Sequence, residues 1–409
     1  MWLILLAVAV GDPGRHVLFF ILDGLRPDTI HQSFAAGRLP NHGRLLFNAT
    51  EFTNAHTVFP TVTLPANASL ITGTFPANHG IPGNHWYDVE TTTDIDYFDP
   101  YTMLRVYTAG LANQHLRATT IYERTTAANL TSFVVFHPYW RGATRFRAPS
   151  VFEVLSFWDG QSVKPDMLDR RMMAHAIDLL HTEGQPNLFT LYFPGIDVIA
   201  HSGGIAAQID YLANVTDPLL GQFLDTLDAI RPAWRSDTLI ILTSDHGRTP
   251  CDPAIQPAHL PARLRAILDT SGQLNHMIPS GPTVYLYLPG STPESRDALA
   301  ARIRAEQLFA GVFTRDSNTP RGFFSDRAPD LLLALPPGQF FHGCVEASSH
   351  GSPYLDDSLV PLYITTPHQP PRVDGDERST TTLVTLIAEW LRLSGAGETL
   401  KKTKSPTAE

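Results

Sequence analysis

Apolar residues recur along this chain with two periods. Continuous runs of β-forming residues at 16–22 (HVLFFIL), at 187–193 (NLFTLYF) and at the start of 236–248 (SDTLIILTSDHGR) read as strands covered on both faces, as in a parallel sheet. Helical spacing at 165–183 and roughly 207–230 predicts amphipathic helices beside them. Shorter strand patterns fall near 119–122, 132–136, 283–288, 311–314, 330–335 and 360–364. Helices are expected within 27–47 and at 293–306 and 380–393, and a loop with one short helix at 91–118. The stretch 59–84, FPTVTLPANASLITGTFPANHGIPGN, is different: turn residues surround a single short helix. Pro65 suits its first position and Gly73 the positive φ that ends it. Thr63 then stands at the helix mouth, where unpaired N–H groups and the macrodipole favour an alkoxide. A plain helix cap is the alternative.

The strand ends carry the next signal. Asp23-Gly24 follows the first run, Asp197 and His201 follow the second, and Asp245-His246-Gly247 follow the third. Open parallel sheets bind ligands at the carboxyl ends of their strands. Taken singly, Asp-Gly is also a common turn, and Asp and His four apart also form surface contacts. Recurrence at three strands is hard to assign to turns alone. Asp197 and His201 share one face of a helical turn, as two ligands of one metal would. His350-Gly351 occupies a loop before the strand at 360–364, and Asn84 sits on a sharp turn after the Thr63 region. Residues 137–146, HPYWRGATRF, read either as a pocket lining or as an exposed irregular loop.

Composition narrows the class. With 409 residues, 43% hydrophobic and 17% charged, the chain can bury a large core, which excludes general disorder. A net charge of −10 and a pI near 5.9 argue against a nucleic-acid polymer as partner. An anionic substrate would need local positive charge, which bound metal supplies. Residues 1–10 resemble a signal peptide too short to span a bilayer, with a frayed strand or apolar arm as the alternative. The expected organisation is a catalytic core at 11–252 and 343–395, a Pro-rich inserted cap at 253–342, and a disordered tail at 396–409. Cys251 and Cys344 are available for one disulfide if geometry allows.

Gathered together, Asp23, Asp197, Asp245, His201, His246 and His350 offer oxygen and nitrogen ligands of the kind zinc accepts, enough for two ions, with Thr63 as nucleophile. Paired ions about 4 Å apart suit displacement at phosphorus. The runs FILDGLRPD (20–28), 59–84, DVIAH (197–201), TSDHGR (243–248) and SHGSPY (349–354) resemble, in order, the type I phosphodiesterase/nucleotide pyrophosphatase branch of the alkaline phosphatase superfamily. That resemblance implies an α/β fold, a three-layer α/β/α sandwich with a mainly parallel sheet plus a cap. It implies two Zn2+ ions or another divalent pair, one held by Asp23, Asp245, His246 and Thr63, the other by Asp197, His201 and His350. It makes Thr63, rather than Thr61, the nucleophile of a phosphothreonine intermediate, and gives the Asn84 amide a non-bridging phosphoryl oxygen.

The implied substrate is a small-molecule phosphate ester or nucleotide, cleaved outside the cytoplasm, with no stable membrane span and no oligomeric state specified. Monoesterase relatives carry Lys-x-Arg-Gly-Ala where this chain has Tyr139-Trp140-Arg141-Gly142-Ala143. Losing the lysine favours a diester, with Tyr139, Arg141 and Leu64 as candidate substrate contacts. Against this, 84–88 (NHWYD) resembles the monoesterases as much as the nucleotide pyrophosphatases, and Leu64 stands where nucleotide-cleaving members favour Phe. A phosphate monoesterase and a catalytically silent, metal-stabilised binding protein are the alternative functions.

Overall fold

A computed structural model describes residues 11–156, 164–256, 259–269, 276–317 and 322–393. The signal-like segment and the tail both lie outside the described residues. The core is an eight-stranded sheet in the order Arg372–Asp374, Thr50–Phe52, Leu362–Thr365, Thr238–Thr243, His16–Leu22, Leu188–Phe193, Ser132–Val135, Arg145–Arg147. All neighbours are parallel except at Leu362–Thr365, which runs antiparallel to both of its partners. The three continuous apolar runs form the middle of the sheet. His16–Leu22 is central, with every residue after His16 buried, because neither face meets water. Truncating Phe19 there would cost about 3–5 kcal/mol.

Helices complete an α/β fold of three layers. Pro165–Glu183, Gly195–Tyr211 and Asp217–Ile230 pack on one another, and Thr63–Thr72, Ile121–Ala127 and Leu383–Trp390 form a separate group. The single helix expected near 207–230 is instead two. Gly195–Tyr211 bends at Gly204 (φ 67°, ψ −162°), continues through a π turn at Leu212–Thr216, and a new helix starts where Pro218 cannot donate an N–H. The strand expected at 119–122 is also overturned. Thr120 and Glu123 form a reciprocal capping box, which starts the helix Ile121–Ala127 and overrides the local β-propensity. The loop expected at 91–118 holds a strand, Thr93–Asp96, paired with His85–Asp88, and the helices Pro100–Thr108 and Leu111–His115.

Within 253–342 a second, antiparallel sheet runs His276–Ser280, Thr283–Tyr287, Leu331–Ala334, Gly311–Thr314. Its own apolar cluster includes Leu264, Leu286, Ile303 and Leu333, separate from the main core. Cys251 and Cys344 are joined in a disulfide with a Cα–Cα distance of 5.6 Å, at the neck of this insertion. No helix among the described residues is long and apolar enough to cross a membrane.

Candidate metal centre

The parallel strands deliver their carboxylates to one crevice. Asp23 follows His16–Leu22, and its N–H donates to the Phe193 carbonyl at 3.1 Å, which ties the two strand ends together. Gly24, at φ 62°, turns the chain away, and its N–H donates to Asp245 Oδ1 at 3.1 Å. A β-carbon at Gly24 would stand 2.3 Å from Asp197 Oδ1, so only glycine lets the third carboxylate approach. Asp197 and His201 lie in the first turns of Gly195–Tyr211, with His201 Nε2 3.0 Å from Asp197 Oδ2.

Thr63 opens the helix Thr63–Thr72, which ends at Gly73 with φ 70°. Pro65 stands two residues inside the helix rather than at its first position, still among the N–H groups that find no intrahelical partner. Thr63 Oγ1 lies 3.4 Å from His246 Nε2. Asp23 Oδ1 lies 3.2 Å from the same nitrogen, and Asp245 Oδ2 3.8 Å. The rings of His246 and His350 stack, and His350 Nε2 is 3.9 Å from Asp197 Oδ1.

The imidazoles of His246 and His350 share one polarity. Nδ1 of His246 lies 2.9 Å from the Gly247 carbonyl and Nδ1 of His350 3.0 Å from the Thr61 carbonyl, while Nδ1 of His201 stands 2.9 Å from Glu346 Oε2 without hydrogen-bond geometry. A neutral ring that donates from Nδ1 carries its lone pair on Nε2. The lone pairs of His246 and His350 therefore enter the crevice, where the carboxylates also offer only acceptors. Asp23 Oδ1 is buried and accepts no hydrogen bond. This acceptor-only cluster, with backbone carbonyls fixing the tautomers of His246 and His350, fits divalent ions. Two sets bring their ligand atoms within 4.8 Å of one another: Asp197, His201 and His350, and Asp23, Asp197 and His246. Asp197 belongs to both sets, whereas Asp245 stands just outside the second.

Charge directions agree. Burial, with Asp245 and Asp197 adding to it, pushes Asp23 well above the carboxylate range. Burial opposes a charge on His246, yet Asp245 and Asp23 raise it to about 10. His201, opposed in the same way, is raised to about 9 by Asp197. His350 goes down, through burial and then the neighbouring His246. Asp197, despite burial, is held well below the usual range by the Arg248 guanidinium. Without ions, His246 and His201 hold their protons, while His350 stays neutral and Asp197 ionised.

Tyr192, Asn67 and His137, given no role by the sequence, complete the site beside Asn84 and Leu64, which it marked. Tyr192 donates its hydroxyl to Asp23 Oδ2. Asn67 Nδ2 donates to Asp245 Oδ2 at 2.7 Å and to the Thr63 carbonyl at 2.9 Å, while its Oδ1 faces His137 Nε2 at 2.9 Å. The Asn84 Oδ1 accepts the Leu64 N–H at 2.8 Å, which turns its amide nitrogen outward. Leu64 itself packs in the main core.

The structure does not bring Arg141 to the cluster. Its Nε and Nη2 donate to the Glu123 carboxylate at 2.9 and 3.2 Å, and its remaining N–H groups to the carbonyls of Asn113, Leu116 and Ala118. All five donors are used, and none remains for substrate. Tyr139 is fully buried, so it lines no open pocket.

The sequence model described as type I phosphodiesterase / nucleotide pyrophosphatase matches residues 17–353. The chain is 23% identical over 349 residues to ectonucleotide pyrophosphatase/phosphodiesterase family member 3 of Rattus norvegicus, covering 84% of this chain and 32% of that relative. It thus spans about a third of the length of that curated relative. Murine ectonucleotide pyrophosphatase/phosphodiesterase 5 superposes with a TM-score of 0.70 at 20% identity, over 93% of this chain and 95% of the other. A threonine-to-alanine form of the same murine protein is described as inactive and in complex with AMP. The alkaline phosphatase PafA gives a TM-score of 0.74 at 16% identity, over 95% and 98%. These solved structures share the fold.

Proposed function

The chain belongs to the type I phosphodiesterase / nucleotide pyrophosphatase family, and from that premise we propose that it is a dizinc phosphodiesterase acting through Thr63. The observation that carries the reading is one crevice that gathers three imidazoles and three carboxylates beside the threonine at a helix mouth. Asp23, Asp245, His246 and Thr63 would hold one ion, and Asp197, His201 and His350 the other. When bound, the ions supply charge that activates the nucleophile and stabilises the leaving oxygen.

The chain's own groups do the rest. Thr63 Oγ attacks phosphorus, the ester oxygen leaves, and water then hydrolyses the phosphothreonine. The helix N-terminus favours the alkoxide. Asn84, its amide fixed by the Leu64 N–H, presents its nitrogen to a non-bridging oxygen. The inactive threonine variant of the murine relative supports the threonine's role.

A diester is favoured over a monoester because the two positions that carry cations in the monoesterases offer none to a second anionic charge: Tyr139 replaces the lysine, and Arg141 is spent on Glu123. The 253–342 lobe is assigned as a cap over substrate. The disulfide supports a location outside the cytoplasm. Hydrolysis of bis-p-nitrophenyl phosphate or a p-nitrophenyl nucleotide faster than p-nitrophenyl phosphate is the expected result. The reverse order moves the assignment to a monoesterase, and no turnover of any aryl phosphate ester moves it to a metal-stabilised binding protein.

A further inference from the structure

Arg248 is fully buried and has no place in the chemistry just described. Its Nη1 donates to the Ser348 carbonyl at 2.9 Å and the Ser348 hydroxyl at 2.8 Å, and its Nη2 faces the Asp197 carbonyl at 3.3 Å and the Asp197 carboxylate. Ser348 in turn donates to the Ala200 carbonyl at 2.7 Å. The guanidinium is thus clamped between the turn that carries Asp197 and the strand Ser348–Ser349 that leads to His350. Arginine stays charged in proteins. A permanent cation therefore shares Oδ1 of a prospective metal ligand.

Asp23 and Asp245 have no such neighbour. Among the described residues, their hydrogen bonds from outside the ligand set come from neutral donors: the Tyr192 and Ser244 hydroxyls, the Gly24 N–H and the Asn67 amide. The guanidinium weakens Asp197 as a donor and sets a like charge beside any ion on it. Nor is it needed to aim the carboxylate, because the Gly24 backbone already walls Asp197 Oδ1, with room for no β-carbon between them.

We propose that Arg248 makes the two ion positions unequal, leaving the one formed by Asp197, His201 and His350 exchangeable while that of Asp23, Asp245 and His246 stays filled. Free divalent metal then sets activity through the weaker position. This inference rests on the two-ion reading above, which gives Asp197 to the position of His201 and His350 alone.

The test is an equilibrium titration of the chelator-stripped full chain with Zn2+ in competition with a chelator, with melting temperatures as a check on folding. Wild type should bind two ions whose affinities differ by at least about tenfold, the scale of outer-sphere effects. His201→Ala should lose the weaker class and keep the tighter. Arg248→Met should strengthen the weaker class by about tenfold, while Arg248→Lys, which keeps the charge, should stay near wild type. Two equal wild-type affinities, or a weaker class that Arg248→Met leaves unchanged or lowers, overturn the role of Arg248. Should Arg248→Met fail to fold, the wild-type ratio and its retention in Arg248→Lys decide. A wild type that binds fewer than two ions overturns the two-ion reading instead, a distinguishable outcome.

Discussion

The imidazoles of His246 and His350 lie face to face, centroids 3.6 Å apart and planes 15° from parallel. Two protonated rings would repel in this arrangement, and two neutral rings with outward lone pairs do not. The ion-free stack therefore carries one proton, on His246, while burial and that neighbouring charge push His350 down.

Chelation should accordingly make stability depend on pH. In the ion-free chain His201 and His246 have folded-state values of about 9 and about 10, above an unfolded value near 6.5. A raised value means that the folded state holds the proton more tightly. Their contribution is full below about pH 6.5 and is lost as pH rises through 9 to 10. The chelated protein should melt at progressively lower temperature across that range, and the zinc-loaded protein should show a flatter profile. Identical profiles would count against ions at these rings.

Asn67 joins the nucleophile to a metal ligand, since one amide nitrogen serves both the Thr63 carbonyl and Asp245 Oδ2. Asn67→Ala leaves a carboxylate oxygen without its donor and the buried His137 Nε2 without an acceptor. An unpaired buried polar group costs about 1–3 kcal/mol. The variant should unfold at lower denaturant and bind zinc about 10–100-fold more weakly. Asn67→Asp should be worse, because it sets a second carboxylate against Asp245. Melting curves and zinc titration read both effects.

Gly24→Ala should abolish activity without a comparable loss of fold. The new methyl would collide with Asp197 Oδ1 at 2.3 Å, and the φ of 62° disfavours a side chain there. Zinc stoichiometry and circular dichroism should separate the two effects, with the ion near Asp197 lost and the sheet retained.

How far the sequence reaches is clear from these residues. Strand-end aspartates and the His-Gly turns are local signals, so the crevice could be read from continuous runs and their ends. Arg141 could not, because its commitment to Glu123 depends on Thr120 and Glu123 starting a helix where β-formers suggested a strand. The link from His137 through Asn67 to Asp245 crosses separate elements, and no spacing rule announces it. Arg248 lay inside a recognised motif, yet its contact with Asp197 appears only when two strand ends meet.

The disulfide closes a loop of 93 residues at the foot of the second sheet. It lies five residues from His246 and six from His350 by sequence number. Cross-links of this kind contribute about 2–4 kcal/mol, mainly by restricting the unfolded chain. Reduction, or Cys251→Ser with Cys344→Ser, should lower the denaturation midpoint accordingly and speed zinc loss to chelator. An unchanged midpoint would mean that the neck is held by its other contacts, such as the Cys251 N–H to Ala347 carbonyl bond at 3.0 Å.

Asp169 offers a pH effect remote from the ligands. It is fully buried beneath Gly195, where the helix carrying Asp197 and His201 begins, and accepts from the Gly195 N–H at 3.3 Å and the Tyr211 hydroxyl at 2.9 Å. Burial raises it to about 7, against the two hydrogen bonds that lower it. Since the folded value exceeds the unfolded one near 3.9, its cost is absent below about pH 4 and grows as pH rises to 7. The cost then levels off at no more than about 4 kcal/mol, from about three units at about 1.36 kcal/mol each. Asp169→Asn keeps an oxygen for the Gly195 N–H and lets the Tyr211 hydroxyl accept instead of donate. The variant should therefore be more stable than wild type above pH 7 and lose that advantage towards pH 4, as read from urea unfolding at both ends. A variant less stable at every pH would show that the ionised carboxylate at this helix N-terminus is worth more than its burial costs.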